Sequence, residues 1–240
     1  MLGGAAVGVV LRGRLPQHHL NEHSKDVVRL GAGLLATMAA LVLSLLISSA
    51  KNTYDVQRDE VRQIAAKLVL LDGLLARYGP EAQPARNLQR QAMASMIGRI
   101  WGERALKPST APPYRPSVEG EAVIVAVEGL SPQNDVQRNL KSRALQALAG
   151  ITEARVLLFE QSHTGLPIPL LVALIFWLTI LFASFTLFSP INPTNAVALV
   201  VIALSASGAI FLILEMNDPF AGLMQIPSAS LSNALGSLGP

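Results

Sequence analysis

Few residues in this chain combine the types and spacings that chemistry needs. His18, His19 and His23, with Glu22 among them, make the one histidine cluster. On a helix, His19 and His23 would stand one turn apart on the same face, a spacing at which two imidazoles can share a metal ion. A zinc-protease helix also needs glutamate directly after its first histidine, and a third ligand; here Leu20 follows His19. The preferred reading is a polar interfacial segment in which Asn21 or Ser24 caps the following helix. No metal is assigned to it.

Glu215 and Asp218 form the second constellation, flanking the end of the apolar run Phe211 to Leu214. An acid at such a boundary binds a cation, pairs with a base or marks where water begins. The boundary role suits Asp218, whereas an ion path or pairing stays open for Glu215. Gly-rich phosphate loops, nucleophile elbows and paired carboxylates on a common strand end are missing. The sequence therefore nominates no catalytic residue, no cofactor and no enzymatic activity. It also has no cysteine, which removes disulfides, cysteine-ligated zinc and thiol catalysis.

The elements that must position these residues are read from composition and charge. Hydrophobic residues make up 51% of the 240 and charged ones only 15%, with a mean hydropathy of +0.42. No Asp, Glu, Lys or Arg occurs from Gln161 through Leu214, an interval of 54 residues. A bilayer core ~30 Å thick is crossed by about 20 helical residues. Leu30 to Ala50 supplies 21 uncharged residues between Arg29 and Lys51. The long uncharged interval is broken by Ser189 to Asn195, where proline and asparagine collect, so it predicts a hairpin of two spans. A chain of this length could not enclose three such helices within a soluble core. Met1 to Leu11 is apolar but would rise only ~16 Å, about half a crossing. Arg12 and Arg14 follow that run instead of preceding it, which argues against a signal peptide.

The fold expected is all-α: a polytopic helical membrane protein with three full spans plus a shortened N-terminal apolar helix. Its segments are the apolar start (1–11), a polar loop (12–29), a span (30–50), a helical extramembrane region (51–164), two further spans (165–188 and 196–214) and a tail (215–240). Membrane lipid is the expected surrounding, and a homo-oligomer the expected assembly.

Within the extramembrane region Val61, Ile64, Leu68, Leu71, Leu75 and Tyr78 recur at alternating steps of three and four. That is the a/d seam of a heptad pattern, serving helical hairpin packing within the chain or a coiled coil between subunits. Gly79 and Pro80 should end the helix, with glycine in a left-handed cap. A second helix, from Glu81 to Trp101, should bury Leu88, Ala92, Met96 and Ile100 while Arg86, Arg90 and Arg99 face water or phosphate. The proline-rich stretch from Gly102 to Gly120 should be a loop. Ala122 to Val127 reads AVIVAV; its β-branched content favours a strand, but nothing comparable exists to pair with it, so helix is the assignment. Ser131 and Pro132 should open the next helix, running through Val136, Leu140, Leu148 and Leu158.

The region from Lys51 to Thr164 holds 15 of 19 basic and 12 of 16 acidic residues, a spread that argues against nucleic acid. Basic residues near the first span are almost balanced, with Arg12, Arg14, Lys25 and Arg29 on one side and Lys51, Arg58, Arg62 and Lys67 on the other, Arg155 adding one. This places the large region in the cytoplasm of a bacterial inner membrane protein.

The stretches at 15–51, 76–82 (ARYGPEA), 130–138 (LSPQNDVQR), 157–161 (LLFEQ) and 211–231 (FLILEMNDPFAGLMQIPSASL) together resemble bacterial integral membrane proteins labelled bestrophin-like. The resemblance implies an N-terminal span, a second span, a helical region and a closing pair of spans, with helix over AVIVAV. Bestrophins are oligomeric ion channels, so an ion channel or pore is the function it implies; a non-conducting scaffold or sensor using the seam is the alternative. No pore motif matches position by position, and no residue role is carried across. Asn192 and Asp218 stand where relatives often carry a basic residue.

Overall fold

The computed structural model describes residues 3, 4, 8, 10, 22–101, 117–163, 166–188 and 192–238. The histidines at 18 and 19 and the proline-rich stretch at 102–116 lie outside them. Seven helices of eight or more residues are described: α1 (Glu22–Tyr78), α2 (Gln83–Trp101), α3 (Val118–Glu128), α4 (Asp135–His163), α5 (Ile168–Phe188), α6 (Pro193–Met216) and α7 (Ala229–Ser237). No strand occurs among the described residues. Three helices, α1, α5 and α6, are long and apolar enough to cross a membrane. The chain is thus all-α, with membrane-length helices, as its composition predicts. AVIVAV lies inside α3.

Two compact units divide the chain: residues 1–52 with 165–217, and residues 53–164 with 218–240. Helix α1 is continuous from the first into the second, and its 57 residues far exceed the ~20 a crossing requires. It starts at Glu22, inside the segment expected as a polar loop.

In the membrane unit the core is thin. Ala39, Leu46 and Ala50 on α1 are buried with Leu174 on α5 and Ile213 on α6. The α1 positions repeat at helical spacing, so one stripe packs inward while Leu30, Leu34, Leu41 and Leu45 stay exposed. Exposed α5 and α6 residues such as Phe176 and Leu204 continue that apolar surface, which lipid tails or neighbouring copies can cover and water cannot. Gly4 and Gly8 belong to this unit and lie hard against α5. A side chain at Gly4 would sit 2.5 Å from the Thr179 carbonyl oxygen, and one at Gly8 would overlap Thr186 Oγ1 and the Ala183 carbonyl. Glycines four apart let backbones meet this closely in lipid.

The second unit has the larger core. All six seam residues, Val61, Ile64, Leu68, Leu71, Leu75 and Tyr78, are buried in it, none more than 7% exposed. Within the chain these side chains share one core cluster with residues of α2, α3 and α4. Gly79 ends α1 with φ +130° and ψ −178°. This is the extended mirror region, open in practice to glycine alone, and not the left-handed cap expected. Gln137 Nε2 donates to the Tyr78 carbonyl at 3.0 Å, satisfying one of α1's terminal acceptors.

Helix α2 is rotated from the expected register. Ala85, Gln89, Met93 and Met96 are fully buried, while Leu88, Ala92 and Ile100 only flank the core. Ser117 caps α3 by accepting from the Gly120 N–H at 3.2 Å. Helix α4 starts three residues later than Pro132 suggested; Asn134 Oδ1 accepts from the Gln137 N–H at 2.8 Å and acts as the cap. Val136 is consequently exposed. The tail forms α7, whose Leu231 and Ala234 enter the core. Trp101 Nε1 donates to the Ile226 carbonyl at 2.7 Å, and its ring meets Phe220 edge-on at 5.7 Å.

Candidate functional site

Glu215 lies half-buried on the last turn of α6. Two residues on, Asn217 closes the helix: its N–H donates to the Ile213 and Leu214 carbonyls, both at 3.2 Å. Its side-chain Oδ1 accepts from the Leu166 N–H at 3.2 Å. Leu166 precedes α5, so this amide has no carbonyl a turn earlier within a helix to meet. Asn217 thus ties the close of one span to the entrance of the other within the membrane unit. Sequence reasoning passed it over in favour of the charges beside it, although asparagine just after a helix is a recognised stop signal.

Asp218 falls in the second unit and is exposed. Its carbonyl accepts from the Ala221 N–H at 3.2 Å, and the Pro219 carbonyl from the Ile226 N–H at 2.7 Å. These bonds fold the chain back after the span, and give Asp218 a place in a turn.

Several hydroxyls along the membrane-length helices are turned onto their own backbones. Thr37 Oγ1 donates to the Leu34 carbonyl at 2.7 Å, Thr179 to Ile175 at 2.7 Å and Ser205 to Val201 at 2.9 Å. Such bonds satisfy a hydroxyl in lipid but leave little polarity on the surface.

Ionic groups are gathered instead on α1 just beyond residue 51. Arg58 lies 3.4 Å from Asp55 and 3.7 Å from Asp59, and Arg62 lies 3.4 Å from Asp59. The result is an alternating ladder of two carboxylates and two guanidiniums at helical spacing. Gln57 and Glu60, between its rungs in sequence, are 2% and 8% exposed and belong to the inward face. Asp55 and Asp59 were not nominated from sequence; their i,i+3 arginines were the available signal.

Two more ion pairs organise the second unit. Arg86 forks the Asp72 carboxylate, Nε to Oδ1 at 2.7 Å and Nη2 to Oδ2 at 3.0 Å, with both side chains nearly buried. That hydrogen bonding raises the Arg86 pKa above its already high ordinary value, and corrects the expectation that Arg86 faces water or phosphate. Arg99 meets Glu119 at 3.2 Å. The Glu119 carboxyl is held below the usual range, first by a backbone N–H at the start of α3 and then by the Arg99 guanidinium. No group of three metal-ligating side chains occurs among the described residues.

The bestrophin-like domain profile matches residues 1–231. The chain belongs to the bestrophin-like family. A bacterial bestrophin homologue from Klebsiella pneumoniae, known from a crystal structure, shares its fold: the TM-score is 0.69 over 99% of this chain and 95% of that one, at 14% identity. At that identity the likeness speaks for the fold alone. No curated protein matches the chain.

Proposed function

We propose that this bestrophin-like chain assembles as a homo-oligomeric ion channel or pore in the bacterial inner membrane, with its larger helical unit in the cytoplasm. The observation that carries the reading is the family match over residues 1–231. The exposed apolar faces of α1, α5 and α6 support it, because they need lipid and neighbouring copies to cover them.

Helix α1 is the proposed lining of the path. Conduction needs polar surface, and the interval from Gln161 through Leu214, which contains α5 and α6, carries no Asp, Glu, Lys or Arg. Helix α1 carries the Asp55, Arg58, Asp59 and Arg62 ladder directly after its apolar stretch. Balanced charge of this kind suits a vestibule that draws ions of either sign at short range. Glu215 is proposed as a second polar contact for the ion, at the end of α6, and Asp218 as a boundary residue. The channel is preferred to the scaffold alternative because the Val61 to Tyr78 seam lies in the core of its own chain.

The test is reconstitution into liposomes with flux measured across pH and voltage, together with the subunit number in detergent and lipid. A conducting ring is expected, and Glu215→Gln should change its conductance or selectivity. A stable ring that passes no ion would refute the channel, and unchanged conductance in E215Q would remove Glu215 from the path.

A further inference from the structure

The second unit holds a cavity of about 180 Å³. Leu71, Met93, Met96, Val123 and Leu148 make much of its wall, and in such a setting a polar group needs a reason. Of the polar residues on its lining, which also include Glu121 and Thr152, Gln89 is the one that is fully buried, at 1% exposed. Its Nε2 donates to the Leu68 carbonyl at 2.7 Å, which fixes the orientation of the amide, because a carbonyl can only accept. Oε1 is thereby committed to another direction, where it meets no hydrogen-bond donor among the described residues.

A buried amide oxygen without a donor is costly, and a leucine or methionine here would complete the apolar wall at no such cost. Gln57 Oε1 likewise meets no donor among the described residues, but it does not border the cavity. A lone water would need two to four polar partners; beside Gln89, α1 and α2 supply Leu68, Leu71, Met93 and Met96, while the other polar lining residues stand on α3, on α4 or just before α3, and the Thr152 hydroxyl proton is already given to the Leu148 carbonyl at 3.0 Å. The half-buried Ser117 and Arg155, joined by a 3.3 Å hydrogen bond, give the cavity a polar end on other elements.

We propose that this cavity is a binding site for a small, neutral, mostly apolar ring molecule that presents one N–H or O–H to Gln89 Oε1. Size agrees with the chemistry. A dry cavity of about 150 Å³ lined by aliphatic and aromatic side chains accepts benzene, and this one has room for a ring that bears a donor. The site is independent of whether the chain conducts.

Indole and benzofuran serve as probes, being nearly isosteric, with only indole carrying an N–H. Equilibrium dialysis of the full-length protein in detergent, against the same micelles without protein, should give one indole per chain. Benzofuran should bind about tenfold more weakly, the worth of one neutral hydrogen bond. Gln89→Leu should abolish or reverse the preference, and Ala92→Phe, which fills the cavity from α2, should lose both ligands. Equal affinity of the unaltered protein for the two probes would overturn the proposal. So would the absence of indole binding up to its solubility, indole binding unchanged in A92F, or a structure of the indole-soaked protein with water alone beside Oε1. The comparison of the two probes needs no variant, so it stands even if Q89L fails to fold. None of these readouts depends on flux.

Discussion

The pair formed by Asp72 and Arg86 joins α1 to α2 across the Gly79 turn, and its worth can be worked out from its geometry. Two parallel bonds at 2.7 and 3.0 Å hold side chains that are 11% and 12% exposed. Removing one partner of a buried pair costs about 3–5 kcal/mol, because the other charge is left without compensation. Here the orphans fare differently. In Arg86→Met the Asp72 carboxylate is left nearly buried without its partner, and the expected loss is about 3 kcal/mol. In Asp72→Asn the guanidinium cannot shed its charge, but the Gln83 Oε1 at 3.3 Å still accepts from it, so roughly 2 kcal/mol is expected. The double variant D72N/R86M leaves no charge behind. It should recover about 2 kcal/mol relative to the sum of the single losses.

The chain has two tryptophans, Trp101 in the second unit and Trp177 in the membrane unit. In a Trp177→Phe background, fluorescence during denaturant titration of the detergent-solubilised chain reports the second unit alone. Single losses below about 1 kcal/mol that simply add in the double variant would refute the view that this pair is a coupled clamp.

Two other outcomes follow from the same turn. Gly79→Ala forces a side chain into φ +130° and within 2.6 Å of Glu81 Oε2, and should cost about 1–3 kcal/mol in the same titration; a midpoint equal to the unaltered chain would contradict the strain. The Tyr78 phenol is pushed above its ordinary pKa of 10.0 by burial first and by the Glu81 charge second. Its neutral form is favoured in the folded state, so its contribution to stability is complete below pH 10 and declines as pH rises through the elevated value. Glu119, with a lowered pKa, behaves oppositely, its contribution disappearing as pH falls through that lowered value. Melting from pH 8 to 11 should show the alkaline decline in the native chain and lose it in Tyr78→Phe; persistence of the decline in Y78F would assign it to other groups.

The helices long and apolar enough to cross a membrane were legible because length and absence of charge are properties of the chain itself, and lipid asks for little else. The seam was legible for a similar reason, being a period of one helix, although its partner was not: whether α1 packs on its own chain or on another copy depends on what lies 20 to 90 residues away. Helix α2 shows the limit most clearly. Gln89 occupies a core position that polarity alone assigns to water, which shifted the expected face onto Leu88 and Ala92. Arg86 was sent to solvent because Asp72, 14 residues earlier, comes beside it only once Gly79 and Pro80 have reversed the chain. Helix α7 escaped notice because ASLSNALGS is short and serine-rich, and its helicity rests on Leu231 and Ala234 finding α2. At the candidate site, charge drew attention to Glu215 and Asp218, while the tie at Asn217 depends on a backbone amide that has no sequence signature.

The second unit is discontinuous along the chain, resuming at residue 218 only after the hairpin has intervened. This imposes an order on biosynthesis. A ribosome delivers α1 to α4 well before α7, so the face of α2 that receives Trp101's carbonyl partner and Leu231 waits uncovered while α5 and α6 are made and handed to the membrane. Completion of the second unit therefore waits on synthesis of the intervening helices: a ribosome stalled there leaves a half-finished module for chaperones or proteases to find.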